Sequence, residues 1–294
     1  MKRLKTFIKN LKQLGKVDLK RLQDPHLEYD LILNNLKYEL VDEIQHLRIP
    51  KIQSVEESIA TLITNKEASL CRFGDGEIQI LKGNHIPLQT ASPKLSARFR
   101  EILGSKQDNI LIAFPRLLYA SKQNIVPYAR RFWRENGQAF RDELEKYIDF
   151  NHTYYAAELT LASNLFERYD VKTYFENIAK IWQDQAITIV CGETVFQDIE
   201  YNIFDSAQSV DYVFAPSLNA FEVYESLLER CRAIPQHHVI ILILGPTAKV
   251  LAYDLAEAGF RALDLGHIAK SYDWYRKQKS AKDLSSAIDF FNPD

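Results

Sequence analysis

The sequence predicts an α/β protein with a Rossmann-like, mostly parallel sheet covered by helices on both faces. Three observations carry that reading. Uninterrupted apolar runs of strand length recur along the chain. They alternate with segments of helical period, the pattern of a parallel sheet buried on both sides. At 294 residues with 46% hydrophobic content, the chain can bury a sizeable core.

The first segment places Leu4, Phe7, Ile8, Leu11 and Leu14 at helical spacing with lysines between them, a short basic amphipathic helix. It either packs its apolar face on the body or lies on an anionic lipid surface. Residues 26–48 read as a second helix carrying Leu27, Leu31, Leu36, Leu40 and Ile44, closed by Pro50. Ser54 with Glu57 forms a capping box that opens a helix to about residue 65. A strand is expected at 68–72, a helical turn at 77–81 after a Gly-Asp-Gly loop, and a helix at 93–103. A buried strand follows at 109–114, then a helix over 127–148 with Gly137 as a break.

The second half repeats the rhythm. Strands are expected at 186–191 and 210–214, a helix at 220–230, the clearest strand at 238–244, a helix at 248–258 and a last short strand at 260–264. The resulting division is a helical N-terminal extension over 1–50, a main domain over 51–278 and a polar, loosely docked tail over 279–294.

Composition narrows the function classes. The net charge of −2 argues against a nucleic-acid partner. Residues 1–21 carry a surplus of +7, which leaves −9 for the remainder. Cys71, Cys191 and Cys231 lack the spacing of a disulfide framework or a common zinc motif, and suit a reducing, cytoplasmic compartment. Neither a signal-peptide core nor an 18-residue apolar stretch is present.

Ligands of open α/β sheets sit at the carboxyl ends of the strands, and three such ends stand out. In Arg72-Phe-Gly-Asp-Gly-Glu77, glycines permit a tight turn, and Asp75 and Glu77 are separated by one residue. Such a pair can hold Mg²⁺ or Mn²⁺ with diphosphate oxygens completing the shell, although the same pair also occurs on ordinary exposed turns. Arg72 can steady this loop or contact phosphate. At Gly245-Pro246-Thr247 a strand feeds a helix, which suits an anion or else is a plain helix start with Thr247 as N-cap. Glu193, just past a strand end, is either a general base or a helix cap. His267 follows the last strand and is either at the same edge or structural.

Taken together, these segments resemble the GT-D fold glycosyltransferases, bacterial enzymes that build cell-surface glycans or glycosylate surface adhesins. The resemblance rests on the segment from Leu70 to Glu77 containing RFGDGE and on Gly192-Glu193. It continues at Ile203-Phe-Asp-Ser-Ala207, Ala215-Pro-Ser-Leu-Asn-Ala-Phe221, Gly245-Pro-Thr-Ala-Lys249, Asp264-Leu-Gly-His-Ile268 and Tyr272-Asp-Trp274. It spans about residues 55–275 and departs from the family pattern after Gly192-Glu193, where Thr194 and Val195 follow, and at residues 154–160, which lack an arginine.

The resemblance implies a hexosyl transfer from a UDP-sugar with a divalent metal at Asp75 and Glu77. It places Asn219, Gly245, Pro246 and Thr247 on the nucleotide side and Glu193 near the reacting sugar or acceptor, while Arg72, Gly74 and His267 are further donor-site candidates read from their positions at strand ends. Glu193 is the expected base, with Glu158 behind it. The acceptor implied is a glycan, a lipid-linked glycan or a glycoprotein; residues 1–50 lie outside the resemblance, and the basic helix of residues 1–21 separately suits an enzyme that meets a lipid-linked acceptor at the inner membrane face. Two other functions use the same residues: a metal-dependent phosphoesterase or nucleotide-diphosphate hydrolase, and a non-catalytic nucleotide-binding module.

Overall fold

The computed structural model describes residues 48–120 and 123–291. The two helices expected before residue 48 therefore lie outside the described residues. Eight strands form one sheet in the order β1-β4-β3-β2-β8-β7-β5-β6, and every pairing is parallel. They are β1 (Lys51–Ile52), β2 (Ser69–Arg72), β3 (Ile110–Phe114), β4 (Thr153–Ala156), β5 (Ala186–Gly192), β6 (Ser209–Ala215), β7 (Val239–Ile243) and β8 (Arg261–Asp264).

Because successive strand side chains point to opposite faces, each apolar run feeds two cores at once. Ile110, Ile112, Ile240 and Leu242 enter one core, while Leu111, Ala113, Val239 and Ile241 enter the other. Strands that must be apolar on both sides read as continuous hydrophobic runs, which is why the sequence exposes them.

The first core is covered by α2 (Asp75–Leu81), α3 (Pro93–Leu103) and α4 (Pro127–Leu144), together with α7 (Tyr224–Arg232) and α8 (Thr247–Glu257). The second is covered by α1 (Val55–Thr64), α6 (Val171–Ala179) and α9 (Ile268–Arg276), with the short α5 (Ala162–Leu165) beside them. The capping box at α1 is present: Glu57 N–H donates to Ser54 Oγ at 3.1 Å and Ser54 N–H to Glu57 Oε2 at 2.7 Å.

Two expectations are corrected, and a third element forms as expected in an edge position. The helix at Gly137 does not break; α4 runs through it to Leu144. The polar end is not a loose tail: α10 (Leu284–Phe291) docks through Ala287 and Phe290, with Ala281 ahead of it. The 210–214 run forms β6, but as an edge strand whose Tyr212 and Phe214 stay exposed.

Strands β2 and β8 meet in the middle of the sheet, in register at Leu70 and Leu263. After β2 the chain enters α2 on one face; after β8 it enters α9 on the other. Helices leaving adjacent strands to opposite faces open a crevice at the carboxyl edge, the topological switch point where open α/β sheets bind ligands.

Candidate active site

The crevice is built around four buried or half-buried charges. Arg72, the last residue of β2, crosses to β8: its Nε donates to the Asp264 carbonyl at 2.9 Å and its Nη2 to Asp264 Oδ1 at 3.3 Å. Its Nη1 donates to the Ala157 carbonyl at 3.2 Å. The guanidinium passes so close over Gly266 that a Cβ there would collide with Nη2, and Gly266 has φ +41°. Glycine is required on both counts.

Lys249 Nζ donates to Glu77 Oε1 at 2.5 Å and to the Gly245 carbonyl at 3.0 Å, and lies 3.6 Å from Asp264 Oδ2. Two cations thus face two carboxylates with little access to water, where each interaction is strengthened and each unpaired charge is costly.

The two predicted metal-binding acids are treated differently. Gly74 is the N-cap of α2 and has no side chain to cap with, so Glu77, three residues on, reaches back. Gly74 N–H donates to its Oε2 at 2.6 Å. Burial pushes the Glu77 carboxyl up, but the Lys249 charge and hydrogen bond, the Gly74 amide and Arg72 outweigh it and hold it below the usual carboxylate range.

Asp75 is the first residue of the same helix and is open to solvent on one side. Its carboxyl is raised, first by the surrounding protein and then by the Glu77 charge, with the Asp75 and Gly76 amides acting against this. It is the carboxylate here whose charge lacks a cation.

That asymmetry tests the metal expectation. An open carboxylate raised by a like-charged neighbour fits a hard divalent cation with Asp75 as principal ligand. Glu77 can add only the lone pairs left by Gly74 and Lys249. Among the described residues, no group of three or more His, Cys, Asp or Glu could hold a metal. A cation here would take the rest of its shell from water or substrate oxygens, as Mg²⁺-type sites do.

Thr247, at the start of α8, is fully buried; Pro246 holds the N-cap position, and the Thr247 hydroxyl makes no hydrogen bond among the described residues. Asn219, in the left-handed region at φ +53°, faces the 86–91 loop. Its Oδ1 accepts from Thr90 N–H at 2.7 Å and its N–H donates to the Leu88 carbonyl at 2.9 Å. Glu193 is exposed past the end of β5. There Gly192 lets Ser217 approach so closely that a Cβ would meet its hydroxyl.

Glu158 is buried, accepting from the Arg116 amide at 3.2 Å and the Leu117 amide at 2.9 Å, and burial raises its carboxyl despite them. His267 opens α9 against the rings of Phe290 and Phe291. Burial, then Arg72 and Lys270, lowers it to about 4. Lys249 therefore joins Glu77 and the Gly245 carbonyl and, by way of Asp264, Arg72, with Asp75 beside Glu77 on the same helix turn, while Asn219 and Glu158 hold neighbouring loops.

Sequence reasoning missed Lys249 and Asp264. A signal existed for each: a single cation inside the apolar run Ala248-Lys249-Val250-Leu251, and an acid ending a buried strand.

The pattern of the glycosyltransferase GT-D fold family matches residues 70–287. The chain is 33% identical over 235 residues to the probable glycosyl transferase Gly of Streptococcus gordonii, covering 79% of this chain and 34% of that protein. It is 29% identical over 246 residues to glycosyltransferase GlyD of Streptococcus pneumoniae serotype 4, covering 80% and 29%. The chain thus spans about a third of the length of the curated relatives it matches.

Among solved structures it superposes on a glycosyltransferase (DUF1792) from Streptococcus sanguinis with a TM-score of 0.74 and 31% identity, covering 79% of this chain and 86% of the other. A second, described as the highly conserved domain of unknown function 1792 with a distinct glycosyltransferase fold, gives 0.73 and 31% over 78% and 83%. With the matched pattern running from β2 to α10 and the same fold in both solved relatives, this chain belongs to the glycosyltransferase GT-D fold family.

Proposed function

We propose that the protein transfers a hexosyl group from a UDP-sugar to an acceptor hydroxyl, with a divalent cation at the crevice between β2 and β8. The observation that carries this reading is Asp75: an open, uncompensated carboxylate beside a Glu77 already neutralised by Lys249. When bound, Mn²⁺ or Mg²⁺ supplies Lewis-acid stabilisation of the diphosphate. Asp75 would hold the cation, and Glu77, already hydrogen-bonded to Lys249 and the Gly74 amide, would offer its remaining lone pairs. Arg72 and Lys249 fix the loop so that Asp75 is presented without reorganisation, the condition under which electrostatic catalysis is strongest.

In the reaction the acceptor oxygen forms a bond to the anomeric carbon as the bond to the UDP oxygen breaks, and the hydroxyl proton passes to a base. Glu193, an exposed carboxylate past the end of β5 on the same carboxyl edge of the sheet, with β7 between it and β8, suits this role. The acceptor is a glycan, a lipid-linked glycan or a glycoprotein, on the cytoplasmic side of the membrane.

Calorimetric titration of UDP with and without Mn²⁺ tests the donor site. Binding should require Mn²⁺ and weaken at least about tenfold in Asp75→Asn, by the loss of a charged ligand, with the melting temperature held. Binding indifferent to both would remove the donor site from this loop. The +7 surplus of residues 1–21 suits an anionic lipid surface. Deleting them should abolish co-sedimentation with phosphatidylserine vesicles, and unchanged partitioning would refute that contact.

A further inference from the structure

A second polar recess lies on α4, on the sheet face that α2 also covers. Helix α4 packs against α2, the helix that begins at Asp75. It carries Arg130, Arg134 and Arg141 at spacings of four and seven, which keep them on one side of the helix. With Trp133, Gly137 and Gln138 they line a cavity of about 450 Å³ that reaches Leu118. Leu118 ends the turn after β3, the strand beside β2, which sets that end of the recess on the carboxyl side of the sheet.

The lining is cationic. It holds no carboxylate among the described residues. Arg130 Nη2 donates to the Gln123 and Ile125 carbonyls at 3.2 and 2.9 Å and lies 3.7 Å from Glu167 Oε1, while its buried Nε has no partner among the described residues. Among the described residues Arg141 donates to the neutral Gln138 Oε1, and Gln138 Nε2 to Asp142 Oδ1 at 2.7 Å. Arg134 is exposed, with no polar partner among the described residues.

Gly137 keeps the space open. It sits inside an 18-residue helix, where glycine costs about 1 kcal/mol relative to alanine. Nothing displaces a Cβ from that position: the nearest atom, Leu118 Cδ2, is 4.0 Å away. The missing side chain enlarges the recess rather than relieving a clash. Guanidinium forks match phosphate oxygens.

We propose that this recess is the acceptor subsite and that it binds an acceptor through a phosphate group. The inference rests on the glycosyl-transfer reading. The phosphate belongs either to a lipid diphosphate linkage or to an ester on the sugar.

The test uses the full chain saturated with UDP and Mn²⁺, so that the donor site is filled. Geranyl diphosphate, glucose 6-phosphate and glucose are titrated in turn by calorimetry. At least one phosphorylated probe should bind and glucose should not, the tighter probe identifying the source. Affinity should fall at least about tenfold in Arg134→Gln/Arg141→Gln by loss of two charged donors, with UDP binding unchanged. Gly137→Ala, which the helix tolerates, should also weaken the probe without lowering the melting temperature.

Glucose binding as well as its phosphate, or phosphate binding unaltered in both variants while UDP binds normally, would overturn the subsite and leave the donor reading intact. Wild-type protein that does not bind UDP would sink the donor reading and the acceptor role with it.

Discussion

Lys249, 3% exposed, stands between Glu77 and Asp264 and supplies the charge that keeps Glu77 ionised in a buried setting. Removing one partner of such a pair leaves the other uncompensated, which costs about 3–5 kcal/mol, whereas removing both charges costs far less. Lys249→Met should therefore lower stability by about that amount in urea unfolding, and adding Glu77→Gln should recover part of it. Additive losses in the double variant would mean that Lys249 acts through Asp264 or packing instead. Glycines around Asp75 and Glu77 made that pair legible, because spacing within six residues is a local property. The cation that organises them was not, since Lys249 lies 172 residues from Glu77 in sequence and only the fold joins them.

Helix α10 shows what periodicity cannot reveal about an element. Its sequence is short and flanked by charge, so polarity suggested a tail, yet Phe290 is fully buried against His267 and Trp274. Strands β1 and β4 escaped for a related reason: with two and four residues they are too brief for a pattern. By contrast β3, β5 and β7 are apolar on both faces and could be read directly. The docking of α10 bears on titration. His267 is held at about 4 against an ordinary 6.5, so the unfolded chain takes up its proton first. The neutral ring's contribution is complete above about pH 6.5 and is lost as pH falls towards 4, up to about 3 kcal/mol. Phe290→Ala should cost about 3 kcal/mol through the cavity and raise the His267 pKa towards 6.5, flattening stability across that window. The histidine C2–H resonance followed by NMR checks this, and an unmoved midpoint would show that α10 is not what keeps the ring neutral.

At the scale of the whole molecule, the sheet has a seam where β2 meets β8, and an arginine closes it at each end. Arg72 ties the carboxyl end through Asp264 and Ala157. Arg261 ties the amino end, its Nη2 donating to the Leu62 carbonyl at 2.5 Å and its Nε and Nη1 to Ala68 and Ile181 at 3.4 Å. Between them Ser69 Oγ donates to the Phe260 carbonyl at 3.2 Å and accepts from Ala262 N–H at 2.9 Å. Lysine keeps the charge but cannot reproduce a fork reaching several acceptors. Arg72→Lys and Arg261→Lys should therefore each lower stability by about 2–3 kcal/mol, the worth of hydrogen bonds to a charged group. Both should accelerate hydrogen exchange at β8. The two ends differ in what they adjoin: Arg72 is followed directly by the Asp75 loop, while Arg261 lies a strand's length away. Only Arg72→Lys should weaken Mn²⁺-dependent UDP binding. If Arg261→Lys weakens it equally, the seam acts as one body and the site depends on the alignment of the two half-sheets. If Arg72→Lys destabilises but leaves UDP binding untouched, the arginine is a staple of the sheet, and presentation of Asp75 falls to Lys249 and Gly74.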